Sequence, residues 1–134
     1  PATFADEASV VLHAKLGHLD AVEHLARLDF VGGSLWLPAA PELATRPLGS
    51  ACRLRIQARD VSIALSEQRD SSILNRLPAV LQDYAPATLA GQVLVRCRVA
   101  DVLITARITQ RSFAALGLQV GSPVWLQIKA ASLV

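Results

Sequence analysis

The chain has few charged residues and no methionine, and these shortages limit the classes of protein to which it can belong. Charged residues make up 18% of its 134 residues and hydrophobic residues 52%, against roughly 25% charged in a typical soluble domain. The chain therefore has ample apolar material for a core and is not disordered. No run approaches the roughly 18 consecutive apolar residues of a membrane-spanning helix, and no basic region leads into an apolar one as in a signal peptide. Methionine is absent, even at position 1, so we interpret the chain as a piece of a longer protein.

The motifs of the common enzyme classes are also missing. The chain has no G-x-S-x-G turn, no cysteine with an obvious histidine partner and no pair of carboxylates in an apolar setting, so we expect no catalysis from it. It has no G-x-x-x-x-G-K-[ST] loop to hold the phosphates of ATP. The spacing of His13, His18 and His24 fits neither a helical His-x3-His pair nor a finger pattern, so neither a metal site nor a cofactor is expected.

Cysteine and aromatic residues are too few for a disulfide scaffold or a base-stacking surface. Cys52 and Cys97 have no CxxC or CxxH neighbour, and we expect buried free thiols in a reducing compartment. The net charge of +2 is compatible with an anionic partner. Trp36 and Trp125 lie in apolar runs, and only one Tyr and three Phe accompany them. Nucleic acid is therefore not expected as a partner.

What the sequence does contain is a repeated phrase. Residues 48–63 and 120–134 share a Gly-Ser pair followed by the same apolar residues at one constant offset, since 121 − 49 = 72 and 130 − 58 = 72. The matched pairs are Gly49-Ser50 with Gly121-Ser122, Leu54 with Leu126, Ile56 with Ile128, and Ala58 with Ala130. Cys52, Leu54, Ile56 and Ala58 alternate with polar residues, which predicts a half-buried strand. At one polar position the copies differ, because Lys129 stands where the first copy has Gln57.

Each copy is predicted to contain three strands, a helix or turn, and a closing strand. The predicted strands are 9–16, 25–32, 33–39 and 50–58, then 75–84, 92–99, 101–109 and 122–130, with tight turns at Gly32-Gly33 and Ala100-Asp101. A short helix is predicted over 110–118 with Gly117 at its end, whereas three prolines allow the first copy one short turn. We therefore expect a mainly β fold of two small OB-like barrels related by internal repeat. The expected division is a linker at 1–8 from an absent nucleotide-binding domain, a first half at 9–66, a hinge at 67–71 and a second half at 72–134.

The second copy carries a candidate anion site. Thr109 and Ser112 are three residues apart at the start of the predicted helix, so their hydroxyls share a face beside unpaired backbone N–H groups. Lys129, on the polar face of the last strand, could add a positive charge. The same residues also have ordinary interpretations: Thr109 as an N-cap, Ser112 as a surface residue and Lys129 as a solvated lysine.

Three segments carry a resemblance to a known family. They are "SSILNRLPAVL", "ARITQRSFAALGL" and "GSPVWLQIKAASLV", and together they resemble the Mop, or molybdenum-pterin-binding, type of TOBE domain over residues 71 to 134. The family pattern opens with S-x-R-N, continues with a helix after x-T-x-x-S and closes with I-K-A-S. The preceding half is similar to the segment before the Mop domain in molybdate transporter ATPases of the ABC class.

The resemblance implies a ligand set for molybdate or tungstate. By motif position the ligands would be the hydroxyls of Thr109 and Ser112, the Lys129 ammonium and the Ala130 backbone, with Ser72 and Asn75 matching the S-x-R-N opening. The arginine of that opening is Leu74 here, which removes a cation with several donors. Arg76 lies two residues on and would share its face in an extended strand. We hypothesise either a partial replacement by Arg76 or a weakened site kept mainly for packing.

The resemblance further implies a regulatory and dimerising tail of a molybdate-import ATPase. Its partners would be a second copy of the chain, its own ATPase domain and a membrane permease, at the cytoplasmic face of the cell membrane. One alternative is a purely structural tail that pairs subunits without binding an anion. Another is a stand-alone molybdate storage protein, which Gln57 and the lack of S-x-R-N in the first half disfavour.

Overall fold

The computed structural model describes residues 9–134, and these residues form ten strands, two short helices and a 3-10 turn. The first half contains β1 (Ser9–Asp20), β2 (Leu25–Phe30), β3 (Gly33–Pro38), α1 (Pro41–Ala44), β4 (Ala51–Gln57), the 3-10 turn (Ala58–Asp60) and β5 (Val61–Ala64). The second half contains β6 (Asn75–Pro86), β7 (Gln92–Val99), β8 (Val102–Thr109), α2 (Gln110–Ala115), β9 (Pro123–Ile128) and β10 (Ser132–Leu133). The linker expected at 1–8 lies outside the described residues.

The strands form two five-stranded antiparallel sheets. The first sheet has the order β10-β4-β1-β2-β3 and the second β5-β9-β6-β7-β8. In the second sheet the two edge strands, β5 and β8, also contact each other, so the sheet curls toward a barrel and leaves little open edge. The predicted mainly β architecture of two OB-like units with a short helix in the second is confirmed.

The two halves exchange their last strands. β5, from the first half, pairs with β9 in the second sheet, with Val61 opposite Ile128. β10, at the end of the chain, pairs with β4 in the first sheet, with Leu133 opposite Leu54. The sheets therefore do not follow the boundary between segments 9–66 and 72–134. The sequence did not predict this exchange, because strands of four and two residues carry almost no alternation of their own.

The repeated phrase forms equivalent strands, as its pattern predicted. In β4 the side chains of Cys52, Leu54 and Ile56 are buried, whereas those of Arg53 and Arg55 are exposed. β9 alternates in the same way around a fully buried core side chain at Leu126. The shared apolar residues therefore belong to the core, and the turn glycines that precede them, Gly49 and Gly121, both have positive φ. Glycine adopts this conformation without a steric penalty.

The first turn differs from the prediction by one residue, whereas the second turn and the end of the second helix match it. The β2–β3 loop consists of Val31 and Gly32, since Gly33 already pairs with Phe30. In the second copy the loop is the predicted Ala100-Asp101 step. The helix α2 ends at Ala115, with Leu116 as its C-cap and Gly117 in the predicted C′ position. It stops there because Gly117, at φ 61°, turns the chain into the left-handed region and its N–H caps the helix on Ala114 O.

Candidate functional site

A cleft of about 480 Å³ opens where β5, β7, β8 and α2 meet in the second sheet. Its wall combines hydroxyl, amide and guanidinium groups with aliphatic side chains, and no carboxylate lines it. The lining residues are Ser62, Ile63, Gln92, Arg107, Ile108, Thr109, Ser112, Ala115 and Leu116. A wall with donors and without negative charge suits a solute that accepts hydrogen bonds.

The structure brings the predicted hydroxyl pair together in this cleft. Thr109 is the last residue of β8 and the N-cap of α2, and its Oγ1 accepts from the Ser112 N–H at 3.0 Å. The same hydroxyl donates to Ser112 Oγ at 3.0 Å. Ser112 Oγ therefore keeps its own proton to donate. The capping role of Thr109 is confirmed, and it leaves a hydroxyl donor in the cleft.

Arg107 contributes a cation that the sequence analysis did not single out. It lies two residues before Thr109 on β8, and both side chains are exposed on the same face of the strand. Within residues 9–134 no carboxylate forms an ion pair with Arg107. The alternation of the strand was a signal that could have found this residue. Ser62 carried no such signal, because it reaches the cleft only through the exchange of β5.

The wall of the cleft also holds an unsatisfied polar atom. Gln92 lies opposite Thr109 in the β7–β8 pair, and its Oε1 is buried without a hydrogen-bond partner among the described residues. An unpaired buried polar atom costs about 1–3 kcal/mol. That oxygen can only accept a hydrogen bond, so it can serve a donor such as water but not an oxyanion.

Lys129 and Ala130 lie outside this cleft. Lys129 follows the end of β9, where its backbone N–H donates to Asp60 O at 2.8 Å. Its side chain is exposed. Ala130 lines a separate surface pocket with Arg55, Gln57 and Asp60. Within one chain, Ala130 and the hydroxyl pair therefore line different depressions and Lys129 lines neither, so the roles of Lys129 and Ala130 in binding stay predictions.

The segment that matches the S-x-R-N opening lies against the first sheet. Asn75 is only 8% exposed, and its side-chain amide bonds both backbone groups of Trp36 on the edge strand β3. Its Oδ1 accepts from Trp36 N at 2.7 Å, and its Nδ2 donates to Trp36 O at 2.9 Å. Leu74, beside it, lines a small pocket with Glu23 and Leu25. The side chain of an arginine at position 74 would therefore extend from the edge of the first sheet at β3 and not from the wall of the cleft that Thr109 lines.

Arg76 is occupied by the segment between the two halves. Its Nη1 donates to Gln68 O at 2.8 Å, and its Nε lies 3.8 Å from Glu67 Oε2. Arg76 does not line the cleft. Ser72 is exposed in the same segment. These contacts attach Arg76 to the hinge segment, and they form without an anion.

The first copy lacks the hydroxyls of the second. Ala40 is the N-cap of α1, the position that Thr109 holds in α2. Leu43 follows three residues later, as Ser112 does, and is 1% exposed in the core. Together with Gln57 in place of Lys129, this leaves the first copy without the side chains of an anion site.

Residues 9–134 bring no three or more His, Cys, Asp or Glu side chains into a group able to hold a metal ion. None of the helices formed by these residues has the length and apolar character needed to cross a membrane.

Fold and cleft together define a tandem small-barrel module whose second half carries a polar cleft with an arginine and no carboxylate on its wall. Residues 71–134 match the model of the TOBE domain. The resemblance inferred from the motifs of the second half is thereby confirmed.

The comparisons with individual proteins cover the whole chain. It is 41% identical to the molybdenum import ATP-binding protein ModC of Methylococcus capsulatus, over 100% of this chain and 36% of that protein. It is 42% identical to ModC of Aromatoleum aromaticum, over 100% of this chain and 34% of that protein. The chain thus spans about a third of the length of these curated relatives.

A solved structure shares the fold. A crystal structure of the cytoplasmic molybdate-binding protein ModG, in a form with molybdate bound, superposes with a TM-score of 0.76 at 20% sequence identity. The match covers 96% of this chain and 95% of that one. The tandem arrangement of two OB-like units therefore occurs in a protein of almost the same extent.

Proposed function

We propose that this chain is an accessory region of a molybdate-import ATPase and that the cleft of its second copy binds molybdate or tungstate. The observation that carries the proposal is the pairing of the Thr109 and Ser112 hydroxyls in a cleft without carboxylates. The similarity to ModC proteins along the whole chain supports the transport context. On this proposal the ATP-hydrolysing activity belongs to the parent chain and the tail binds a regulatory ligand.

The chemistry of the ligand fits the cleft. A tetrahedral oxyanion only accepts hydrogen bonds, and bonds to a charged partner are worth about 1.5–3 kcal/mol each. Ser112 can donate from its free proton, and Thr109 can turn its proton from Ser112 toward the anion while its oxygen still caps the helix. Since β8 and α2 already place the two hydroxyls in the cleft, these donors need little rearrangement to bind an oxyanion.

A second copy of the chain completes the proposal. Within one chain Ala130 lines another depression and Lys129 does not line the cleft, so their participation requires a neighbouring copy that brings them to the cleft. In the full-length protein the partners are its own ATPase domain and the membrane permease, on the cytoplasmic side. A bound anion then regulates transport if it binds one arrangement of the paired tails more tightly than the other.

A purely structural tail is the second candidate. Two residues of the implied ligand set already have packing duties, since Asn75 joins the sheets and Arg76 holds the hinge. These contacts favour a module whose first task is to keep two barrels in a fixed arrangement. A stand-alone storage protein is disfavoured, because Ala40 and Leu43 deprive the first copy of hydroxyls.

Calorimetric titration of sodium molybdate into the 134-residue chain tests the binding proposal. We expect saturable binding that falls about 10- to 100-fold in Ser112→Ala and changes little in Thr109→Ser, which keeps both the capping oxygen and the hydroxyl donor. Thr88→Val, at an exposed threonine outside the cleft, serves as the matched control. Absence of binding to the unmodified chain, or unchanged binding in Ser112→Ala, would favour the structural tail.

Sedimentation tests the pairing. We expect the dimer fraction of the chain to rise when molybdate is added, because a ligand that binds across two copies stabilises their association by mass action. A Lys129→Ala variant should lose most of that shift while keeping its fold. A dimer fraction independent of molybdate would refute the shared site.

A further inference from the structure

We propose that Arg107 is the cation that an oxyanion meets in the Thr109–Ser112 cleft, in place of the arginine that the family pattern puts at position 74. This inference rests on the proposed function and adds to it a residue that the motif of the family does not contain. The juxtaposition that supports it is one exposed guanidinium and two hydroxyls on the wall of a single cleft.

The strand geometry gives Arg107 its place. Residues two apart on a strand point to the same side, so the side chains of Arg107 and Thr109 leave β8 on one face and both line the cleft. Ser112 adds its hydroxyl from the first turn of α2. An anion held by the two hydroxyls therefore lies beside the same strand face from which the Arg107 side chain extends.

The other basic side chains are committed elsewhere or face other surfaces. Arg27, Arg69, Arg76 and Arg96 each lie within ion-pair distance of a carboxylate. Arg107 has no such partner among residues 9–134, and no acidic side chain lines its cleft to neutralise it. Lys129 and Arg111 do not line the cleft. Among the cations that the structure describes, Arg107 is thus the one that has no carboxylate partner and also lines the cleft.

Leu74 lies away from the Thr109–Ser112 cleft of its own chain. Leu74 lies with Glu23 and Trp36 at the edge of the first sheet, so its replacement takes no charge away from the Thr109–Ser112 cleft of the same chain. A guanidinium at position 107 restores a planar group with several donors, which matches the oxygens of an oxyanion better than an ammonium does.

Binding measurements on four forms of the chain test the inference. Molybdate is titrated calorimetrically into the unmodified chain, Arg107→Gln, Arg107→Lys and the control Arg111→Gln, which removes the same charge from an exposed arginine outside the cleft. We expect affinity to fall about 10- to 100-fold in Arg107→Gln, by less in Arg107→Lys, and by no more than about threefold in Arg111→Gln. Because Arg107 is exposed, all four forms should melt within a few degrees of one another.

The salt dependence supplies a second readout. If Arg107 pairs with the anion, raising the ionic strength should weaken binding to the unmodified chain more steeply than binding to Arg107→Gln. Equal losses in Arg107→Gln and Arg111→Gln, or no loss in either, would overturn the inference while leaving the proposed function intact. No binding to the unmodified chain would overturn both, and loss in Ser112→Ala with normal binding in Arg107→Gln would refute the role of Arg107 alone.

Discussion

The Asn75 amide should be a main energetic link between the two sheets, which replacement with alanine tests. Asn75→Ala removes two hydrogen bonds to Trp36, at 2.7 and 2.9 Å, from a side chain that is 8% exposed. Each neutral bond contributes about 0.5–1.5 kcal/mol net. The variant also leaves the N–H and C=O of Trp36 without their partner, at a cost of about 1–3 kcal/mol each where water does not reach.

The expected total is about 2–3 kcal/mol of folding free energy, because Trp36 is half-buried and water can satisfy part of what is lost. For a chain of this size that corresponds to a fall in melting temperature of about 5–12 °C. Asn75→Asp should be at least as harmful at neutral pH, since a carboxylate accepts from Trp36 N but cannot donate to Trp36 O.

Urea unfolding followed by tryptophan fluorescence measures this loss. In a Trp125→Phe background the emission reports Trp36 directly, so the local environment and the global stability are read in one experiment. Gln119→Ala is the control, as it removes an exposed amide. If Asn75→Ala stays within about 0.5 kcal/mol of the parent, the amide is not a structural link and the reasoning fails.

Three further predictions concern the side chains of Asp83 and Cys97 and the backbone at Gly117. Hydrogen bonding to Arg96 holds the pKa of Asp83 below its usual 3.8, so the ionised carboxylate stabilises the fold above that pH and the effect is lost as pH falls through the lowered pKa. Asp83→Asn should therefore be less stable than the parent in urea at pH 7, and the difference should shrink as the pH falls below 3.8; a difference that does not shrink in acid contradicts this. Burial raises the pKa of the fully enclosed Cys97 thiol to about 12, so a disulfide reagent at neutral pH should label Cys97 only after unfolding, and rapid labelling of the native chain would be inconsistent with this burial. Gly117→Ala should cost about 1 kcal/mol in thermal melts because φ is 61° there, and an unchanged melting temperature would show that the helix end relaxes.

Much of the fold could be predicted because its signals are local. The alternation of residues 51–57 and the turn at Ala100-Asp101 are properties of a few consecutive residues, and both predictions are confirmed. The exchange of β5 and β10 could not be predicted, since it depends on which distant edge a short strand pairs with. Tertiary packing decides that choice, and four residues such as those of β5 do not encode it.

The site shows the same division between local and distant information. The spacing of Thr109 and Ser112 predicted that their hydroxyls share a face at the start of the helix, because an N-cap and the third residue of a helix lie side by side. Asn75 was predicted as a ligand, yet its amide is taken up by Trp36, 39 residues away in the sequence. The two-residue spacing from Thr109 could have identified Arg107 as a residue on the same strand face. No local pattern, however, shows that its side chain lacks a carboxylate partner.

The exchange of closing strands bears on how such a tandem can evolve. A gene for either half alone would encode a sheet that lacks one of its five strands, so deletion of one half also disrupts the sheet of the other. The first copy can therefore carry Ala40, Leu43 and Gln57 where the second has Thr109, Ser112 and Lys129, while its β5 is still required by the second sheet. Mutual dependence of the halves keeps the first copy in the chain and frees its surface to diverge.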